Sequence, residues 1–287
     1  MLSLYSHPRA TTLRPVPFDF DAFDAVLLDL DGTIYHDEHA LPGAVELIRR
    51  FQADGRKYAC LTNSTSSPER ISARLRRMGV TVDAAHIYTA AAAACDYVIE
   101  RFATAGTGAA GRRPRVFNLS TEGVHDMLDG RVEWVDDEKA ACDAVICGVP
   151  VNVFATEERQ RAALVLLRKG AALVAICADR VYPSPRGLEF GVGAMGAMMA
   201  YAANATPVYT GKPERFFFEE LCRRLGVAPS RCVLVGDNLE SDIAGARGVG
   251  MRCVLVLTGV ASREDVARAP ADLRPDWVVP GLPDLAK

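Results

Sequence analysis

The stretch Ala25-Val-Leu-Leu-Asp29-Leu-Asp31-Gly-Thr-Ile34 begins as a continuous apolar run and ends in two carboxylates that are two residues apart. Continuous apolarity without alternation is typical of a strand covered on both faces of a parallel sheet. In such sheets ligands bind beyond the carboxyl ends of the strands, where Asp29 and Asp31 would lie. Side chains at positions i and i+2 of an extended segment point to the same side, so both carboxylates would face one site.

Two carboxylates held close together repel each other, and a shared proton or a divalent cation relieves that repulsion. Oxygen ligands favour a hard ion such as Mg²⁺. Gly32 would let the chain turn sharply after the pair. Asp31-Gly32 can equally be a simple turn signal and Asp29 a chance acid at a strand end, so the stretch alone leaves both interpretations open.

Apolar runs recur along the chain, each bounded by glycine, proline or polar residues. They cover residues 25–30, 57–62, 115–119, 143–148, 171–177, 207–210, 232–237, 252–257 and 276–279. Helical patterns lie between the runs, and four of them end at a glycine, the residue that most easily takes the left-handed conformation of a helix stop: Gly55, Gly79, Gly170 and Gly226. First helical turns are expected at Pro42, Pro68 and Pro213. The alternation of strands and helices predicts the α/β fold class.

The overall balance is that of a globular protein, with 49% hydrophobic residues, 24% charged residues and a net charge of −3. This balance gives no sign of a nucleic-acid partner or of a membrane-surface partner, so we expect a small-molecule partner. No apolar stretch approaches the roughly 20 residues that span a bilayer.

The eight cysteines form no CxxC pair, and most of them lie inside apolar runs. This pattern predicts buried free thiols in a reducing compartment and hence a cytoplasmic protein. The first 18 residues lack acids and faintly resemble an organelle targeting segment, but they have no apolar region of a signal peptide, and we expect a leader arm. The Gly-rich, basic segment 105–114 has the composition of a linker or surface loop.

The second apolar run ends at Thr62 and Asn63, and a cluster of hydroxyl side chains follows. One interpretation is that Thr62 and Asn63 donate hydrogen bonds to a phosphate held near a helix N-terminus. The other is that the cluster only starts the next helix, because Ser66 and Glu69 have the spacing of a capping box.

Lysine and aspartate mark two later strand ends. Lys212 directly precedes a predicted helix, where a cation is unfavourable beside the helix dipole unless an anion binds there. Asp237 closes the run 232–237 and is a candidate metal ligand, with Asp242 behind it or paired with Lys212. Asp242 can also be an ordinary acid in the first turn of the helix.

These four segments resemble, in order and in strand-end context, the motifs of the haloacid dehalogenase-like hydrolase superfamily. They are Asp29-Leu-Asp31-Gly-Thr, Thr62-Asn63, Gly-Lys212-Pro and Gly-Asp237-Asn-Leu-Glu-Ser-Asp242. Each motif alone is weak, whereas all four in this order are highly specific. The resemblance implies a Rossmann-like parallel-sheet core. It favours a phosphatase, because the founding dehalogenases and the P-type ATPases of the superfamily lack an acid at the place of Asp31.

The resemblance further implies a Mg²⁺-dependent enzyme that hydrolyses a small phosphorylated metabolite. Asp29 would be the nucleophile that forms an aspartyl-phosphate, and Asp31 the general acid and then the general base. Mg²⁺ would be bound by the Asp29 carboxylate, the Asp31 backbone carbonyl and Asp237. Lys212 and Thr62 would neutralise the phosphoryl oxygens together with Mg²⁺. Other expected members of the site are Gly32, Thr33 and Asn63 for phosphate binding, and Asn238 and Asp242 behind the metal ligands.

The chain between Asn63 and Thr210 is far longer than a βαβ connection needs. Within the superfamily it resembles the type 2 cap of class IIA, the group of the p-nitrophenylphosphatases. We therefore expect a core at residues 1–92 plus 205–287 and a second, smaller α/β cap domain at residues 93–204.

The cap loop departs from the group's pattern at Cys177-Ala178-Asp179, so the sequence does not name the substrate. Candidate contacts with the organic part of the substrate are Asp179, Arg180, Arg186 and Glu189, each of which can also be a solvated loop residue. Caps of this group often pair, which predicts a homodimer through the cap.

Two other functions stay open. One is a non-catalytic phosphate-ligand sensor on the same fold, although a site that had lost catalysis would not need all four motifs. The other is a dinucleotide-binding oxidoreductase, because Gly191-Val-Gly193-Ala-Met-Gly196 matches GxGxxG. A true fingerprint follows a strand immediately, and we expect a helix start with closely packed small residues here instead. His36 and His39 lack the helical setting of a metal pair, which favours a polar flap beside the site.

Overall fold

The computed structural model describes residues 18–103, 111–149, 153–184 and 186–285. The expected leader arm lies outside these residues except for Phe18, and most of the expected linker at 105–114 lies outside them too. The β-structure of the described residues consists of two parallel sheets and two antiparallel hairpins.

The strands of the described residues are β1 (Ala25–Asp29), β2 (Tyr35–His36), β3 (His39–Ala40), β4 (Lys57–Thr62), β5 (Ile87–Thr89), β6 (Arg115–Leu119), β7 (Glu133–Trp134), β8 (Ala144–Cys147), β9 (Ala172–Ala175), β10 (Val181–Ser184), β11 (Gly187–Phe190), β12 (Pro207–Tyr209), β13 (Cys232–Gly236), β14 (Arg252–Val256) and β15 (Trp277–Val279). The α-helices are α1 (Ala44–Ala53), α2 (Pro68–Arg77), α3 (Ala90–Phe102), α4 (Glu122–Leu128), α5 (Glu157–Arg168), α6 (Val192–Ala203), α7 (Arg215–Leu225), α8 (Ala244–Gly248) and α9 (Arg263–Arg268).

Six parallel strands form the first sheet, in the order β15-β14-β13-β1-β4-β5. β1 lies between β13 and β4, with Leu28 opposite Val235 and Asp29 opposite Leu61. On one side of β1 the strands follow in the order β4 and β5, and on its other side in the order β13, β14 and β15. The strand order therefore reverses beside β1. Such a reversal opens a crevice at the carboxyl ends of the strands, and the site lies there.

The side chains of β1 explain why its first four residues are all apolar. Ala25 and Leu27 pack into the hydrophobic cluster on one face of the sheet, whereas Val26 and Leu28 pack into the cluster on the other face. All four are fully buried. The prediction of a parallel sheet covered on both faces is confirmed.

Five parallel strands form the second sheet, in the order β12-β9-β8-β6-β7. β12 pairs with β9, with Val208 opposite Val174. The expected core, residues 205–287, includes β12, although β12 belongs to the second sheet. The other boundary expected, between residues 92 and 93, falls inside α3. A three-residue strand carries too little sequence to show which of two sheets it joins.

Predicted helix ends are confirmed, but some predicted helix starts are wrong. The four predicted stop glycines all have positive φ, between 61° and 102°. Pro68 opens α2 as predicted, but the N-cap is Ser67, whose Oγ accepts a hydrogen bond from the Arg70 N–H, and not Ser66. Ser67 directly precedes Pro68, whose fixed φ suits the first helical position. Pro42 and Pro213 precede the N-caps of α1 and α7 instead of lying in the first turns.

All eight cysteines are free, and every one except Cys142 is buried, which confirms the prediction of buried thiols. Among the described residues, no helix combines the length and the apolar character that crossing a bilayer requires.

Candidate active site

Three buried carboxylates meet at the carboxyl ends of β1 and β13. Asp29 ends β1, Asp237 directly follows β13, and Asp242 lies in the π-helical turn Leu239–Ile243 that comes next. One carboxylate oxygen from each lies within 4.8 Å of the others, and all three residues are buried. This is the one group of three potential metal-ligating side chains among the described residues.

Lys212 provides the positive charge inside this cluster. Its ammonium group, itself buried, donates hydrogen bonds to Asp29 Oδ1 and to Asp242 Oδ1, the latter at 2.7 Å. Burial by itself would lower the pKa of Lys212, but the carboxylates of Asp242 and Asp29 outweigh it and raise that pKa. Lys212 is therefore a permanent cation of the site.

One ammonium does not balance three carboxylates. Burial, followed by repulsion from Asp242, raises the pKa of Asp29 well above its ordinary value. The same two causes raise the pKa of Asp237 to about 6. A surplus of two negative charges from hard oxygen donors fits a divalent cation, which would favour the ionised forms. The acidic cluster can therefore bind a metal ion.

Asn238 and Asp242 hold the Asp237 segment in place. Asp242 Oδ2 accepts hydrogen bonds from the backbone N–H groups of Asp237 and Asn238, both at 3.2 Å. The Asn238 side chain caps the π-helical turn by accepting from the Glu240 N–H (2.8 Å) and the Ser241 N–H (3.2 Å). Asp242 thus contacts both Lys212 and the Asp237 backbone. The predicted place behind Asp237 and the predicted pairing with Lys212 are therefore both found.

Asp31 lies at the mouth of the site. Its side chain is exposed, and its backbone forms an isolated bridge with Tyr35. Partial loss of hydration raises the pKa of Asp31, against the attraction of Arg74 and His36. Gly32 turns the chain with a φ of 81°, and the Thr33 hydroxyl is buried without a hydrogen-bond partner among the described residues. A buried hydroxyl without a partner is suited to receive a ligand.

Thr62 and Asn63 reach the site from the end of β4. The Thr62 side chain is buried and accepts a hydrogen bond from the Ser64 N–H (3.2 Å). The amide of Asn63 donates to the Asp179 carboxylate and to the Lys212 carbonyl. The donors of the Asn63 side chain are therefore already engaged, whereas the Thr62 hydroxyl donates to no acceptor among the described residues.

The four cap residues expected at the substrate are divided between two places. Asp179 contacts the core through Asn63. Arg186 and Glu189 lie on the β10–β11 hairpin and pair with each other (2.8 Å), and the Ser184 hydroxyl also donates to Glu189. Arg180 is exposed next to Asp179. Within the described part of the chain, Asp179 is the one of the four with a hydrogen bond to the core motifs.

A loop that the sequence interpretation missed supports Asp237 from the end of β14. The Thr258 hydroxyl donates to the Gly32 carbonyl, and the Val260 N–H donates to Asp237 Oδ2, both at 2.6 Å. A Cβ on Gly259 would overlap the Asp237 carboxylate. The available signal was the apolar run 252–257 followed by Thr-Gly, another strand end at the same edge of the sheet.

The two other motifs have structural explanations. Gly191 caps the N-terminus of α6, and a Cβ on Gly191 or Gly193 would overlap the backbone of Asp179 or Ala178, so the expected close packing is confirmed. Contrary to expectation, strand β11 directly precedes Gly191, but it belongs to an antiparallel hairpin and not to a βαβ unit. His36 and His39 face each other on the exposed β2–β3 hairpin, as expected of a polar flap.

Two family models match the chain. The model described as haloacid dehalogenase-like hydrolase matches residues 26–131, and a second model of the same kind matches residues 209–285. Together they include all the strand ends that build the site.

Relatives and solved structures agree with these matches. An acid sugar phosphatase from Staphylococcus aureus is 31% identical over 85% of this chain and 90% of its own length. The crystal structure of a glycerol phosphate phosphatase from Mycobacterium tuberculosis in complex with magnesium superposes with a TM-score of 0.83 at 28% identity, over 93% of this chain and 78% of that one. The crystal structure of a 4-nitrophenylphosphatase from Thermotoga maritima superposes with a TM-score of 0.81 at 29% identity, over 93% of this chain and 97% of that one. On this site, these matches and this fold, the chain belongs to the haloacid dehalogenase-like hydrolases, in class IIA with the type 2 cap.

Proposed function

We propose that this chain is a Mg²⁺-dependent phosphatase that hydrolyses a small phosphomonoester through a phosphorylated Asp29. The observation that carries the proposal is the buried Asp29 carboxylate, bound by Lys212 and facing Asp237 and Asp242 at the carboxyl edge of a parallel sheet. The named relatives support a phosphoric monoester hydrolase, since they are a sugar phosphatase, a glycerol phosphate phosphatase and a nitrophenylphosphatase.

Asp29 is the nucleophile in this proposal. Lys212 binds its Oδ1 atom, which leaves Oδ2 to attack phosphorus. A new bond forms between Oδ2 and phosphorus, and the bond between phosphorus and the ester oxygen breaks, so that the alcohol leaves with its electron pair. Water then attacks phosphorus, and the bond between phosphorus and Oδ2 breaks with its electron pair returning to Oδ2. Inorganic phosphate departs, and the Asp29 carboxylate is restored.

Asp31 moves the protons of both steps. It gives a proton to the departing alkoxide in the first step and takes one from the attacking water in the second. Its exposure at the mouth and its raised pKa support this role, because a carboxyl that keeps its proton to a higher pH serves as an acid nearer neutrality.

The Asp29 and Asp237 carboxylates and the Asp31 carbonyl would hold Mg²⁺. When bound, Mg²⁺ supplies positive charge that offsets the charge of the phosphoryl group. Lys212 and Thr62 would bind other phosphoryl oxygens. The backbone of Gly32 and Thr33 would contribute to phosphate binding too, together with the Thr33 hydroxyl, which is buried without a hydrogen-bond partner among the described residues. Asn238 and Asp242 keep Asp237 and Lys212 in position.

The cap would select the organic part of the substrate. We place it at about residues 93–209, because β12 pairs with the second sheet. Arg180 on the loop after β9 and the Arg186–Glu189 pair on the hairpin are the candidates for contact with the substrate. A sensor without catalysis remains the alternative, and no contact in the site favours it.

Pairing of two copies through the cap hairpin is a further part of this proposal. Val181, Leu188 and Phe190 lie on one side of the hairpin and are 50%, 77% and 69% exposed, which is unusual for large apolar side chains. Sedimentation velocity should find a dimer that Phe190→Ser converts to a monomer. A monomeric unmodified protein would end this part of the proposal.

The test of the function is release of phosphate from sugar, glycerol, nucleotide, glycolate and pyridoxal phosphates and from p-nitrophenyl phosphate, with Mg²⁺ and with EDTA. We expect Mg²⁺-dependent turnover that Asp29→Asn abolishes while the fold is kept, as seen by circular dichroism. Asp272→Asn, an exposed aspartate, is the matched control and should retain full activity. Full activity of Asp29→Asn would exclude the proposed nucleophile.

A further inference from the structure

The side-chain amide of Asn63 is shared between two partners that are distant in sequence. Its Oδ1 atom accepts a hydrogen bond from the Lys212 N–H (2.8 Å), and its Nδ2 group donates to the Lys212 carbonyl (3.1 Å). The same Nδ2 group donates to both oxygens of the Asp179 carboxylate (3.2 Å each). Asn63 therefore holds the Lys212 backbone and the cap loop at the same time.

The segment that carries Lys212 comes directly from the second sheet. The Thr210 hydroxyl, one residue after β12, donates to the Ile176 carbonyl at the end of β9 (3.3 Å). Gly211 then passes through a gap too narrow for a side chain, because a Cβ there would lie 2.7 Å from both Asn63 Oδ1 and Ile176 O. The position of Lys212 is thus set by the second sheet on one side and by Asn63 on the other.

Among the residues that the structure describes, no cation pairs with Asp179 to hold it away from Asn63. Asp179 is half-buried in the loop after β9, where the Cys177 thiol donates to its Oδ2 (3.2 Å) and its carbonyl accepts from the Gly193 N–H (2.8 Å). Within the described ranges, no lysine, arginine or histidine pairs with its carboxylate. The hydrogen bonds from Asn63 are the link between this carboxylate and the first sheet.

We propose that Asn63 and Asp179 are positioning residues for Lys212. The Asn63 amide, the Asp179 carboxylate and the Lys212 backbone form a latch that sets the Lys212 ammonium on Asp29 while the cap loop contacts the core. This inference rests on the proposed function, in which Lys212 binds the transferring phosphoryl group. It gives Asp179 a different role from contact with the organic part of the substrate.

The two roles of Asp179 have different kinetic signatures. A residue that positions Lys212 acts on the phosphoryl group, which is common to all substrates, so its loss lowers kcat by the same factor for every leaving group. A residue that touches the leaving group changes KM, by an amount that depends on the leaving group.

The kinetic test compares Asp179→Ala with Asp179→Asn, whose side-chain carbonyl still accepts from Asn63. We expect Asp179→Ala to lower kcat about tenfold, equally for p-nitrophenyl phosphate and glycerol phosphate, and Asp179→Asn to stay within about twofold of the unmodified enzyme. Asp129→Ala, an exposed aspartate at the end of α4 on the cap, is the matched control and should keep the original kcat.

Hydrogen exchange measures the same latch without any catalysis. Asp179→Ala and Asn63→Ala should both increase amide exchange in residues 210–214, which include the Lys212 N–H, and leave β13 unchanged. Asp129→Ala should change neither segment.

A kcat loss that differs between leaving groups, or unchanged exchange at residues 210–214 in both variants, would overturn the latch. If the unmodified protein hydrolyses no phosphomonoester, the proposed function fails, while the exchange experiment still decides whether Asn63 and Asp179 position Lys212.

Discussion

Lys212 and Arg186 are both cations that the sequence assigns to substrate binding, Lys212 at the phosphate and Arg186 at the organic part, but their surroundings are opposite. The Lys212 side chain is 5% exposed and pairs with two carboxylates that are 6% and 1% exposed, whereas Arg186 is 74% exposed and pairs with Glu189 on the same hairpin. Burial removes water that would otherwise screen the charges, so the pairs of Lys212 are strong and costly to break. The comparison indicates that the reactive chemistry is fixed in the core, while the cap hairpin is free to vary.

The largest effect is expected when Lys212 is replaced. Lys212→Met would leave three buried carboxylates without a positive charge, so we expect kcat to fall at least about 10³-fold and the free energy of unfolding to fall by about 3 kcal/mol. Urea denaturation measures the second quantity. Part of the lost stability should return with added Mg²⁺, and a variant as stable as the unmodified protein without Mg²⁺ would show that the cluster is not charged as described.

Gly259→Ala should have the next largest effect. The added methyl group would overlap the Asp237 carboxylate, so we expect a higher Mg²⁺ concentration for half-maximal activity, by about 10- to 100-fold. Mg²⁺ titration of phosphate release measures it. Gly248→Ala, where a Cβ meets no atom within 4 Å, is the control. Equal Mg²⁺ titration curves for Gly259→Ala and Gly248→Ala would show that the Thr258–Val260 loop does not support the metal site.

An intermediate effect is expected at Asp143, directly before strand β8 of the second sheet. Although burial favours its neutral form, hydrogen bonds from Arg112 and Arg115 lower the pKa of Asp143 to about 2. A lowered pKa in the folded state means that this stabilisation is complete above the unfolded value of 3.8 and is lost as the pH falls towards 2.

Asp143→Asn should therefore lower the free energy of unfolding at pH 7 by about 1 kcal/mol, after allowance for solvent screening. The difference from the unmodified protein should vanish between about pH 4 and pH 2. Thermal melts across this pH range measure it, and a difference that persists at pH 2 would contradict the assignment.

The smallest effect is expected at the exposed cap pair. Arg186→Ala should change the free energy of unfolding by less than about 0.5 kcal/mol and leave kcat for p-nitrophenyl phosphate unchanged. Only KM for the natural type of substrate should rise, as measured across the substrate panel. A drop in kcat comparable to that of Lys212→Met would contradict the assignment of the chemistry to the core and of substrate selection to the cap hairpin.

The helices and strands were largely predictable from local sequence, because buried strands require continuous apolar residues and helix ends favour glycine. β1 is apolar up to Asp29 and β4 is apolar between Lys57 and Thr62, and the glycines after α1 and α2 stop helices by their own conformational freedom. The carboxylates at the end of β1 and after β13 were predictable from their places at strand ends, and the structure brings them together.

The parts that could not be predicted depend on contacts distant in sequence. Nothing near β12 shows that it pairs with β9, and Asn63 finds Lys212 149 residues away and Asp179 116 residues away. The Asp237 carboxylate packs against Gly259 so closely that a Cβ would not fit there, and no local sequence pattern predicts this contact. Tertiary packing, and not propensity, decides these contacts.

The most direct test of the account is the fate of Asp29 in the variant Asp31→Asn with p-nitrophenyl phosphate. Nitrophenolate leaves without a proton from Asp31, whereas attack of water on the phosphorylated enzyme still needs a base. We predict a burst of about one nitrophenolate per enzyme, with phosphate carried on Asp29, detected after borohydride reduction by mass spectrometry of the peptide that contains residue 29. Turnover without a burst, or phosphate on another residue, would contradict the assignment of Asp29 as the nucleophile.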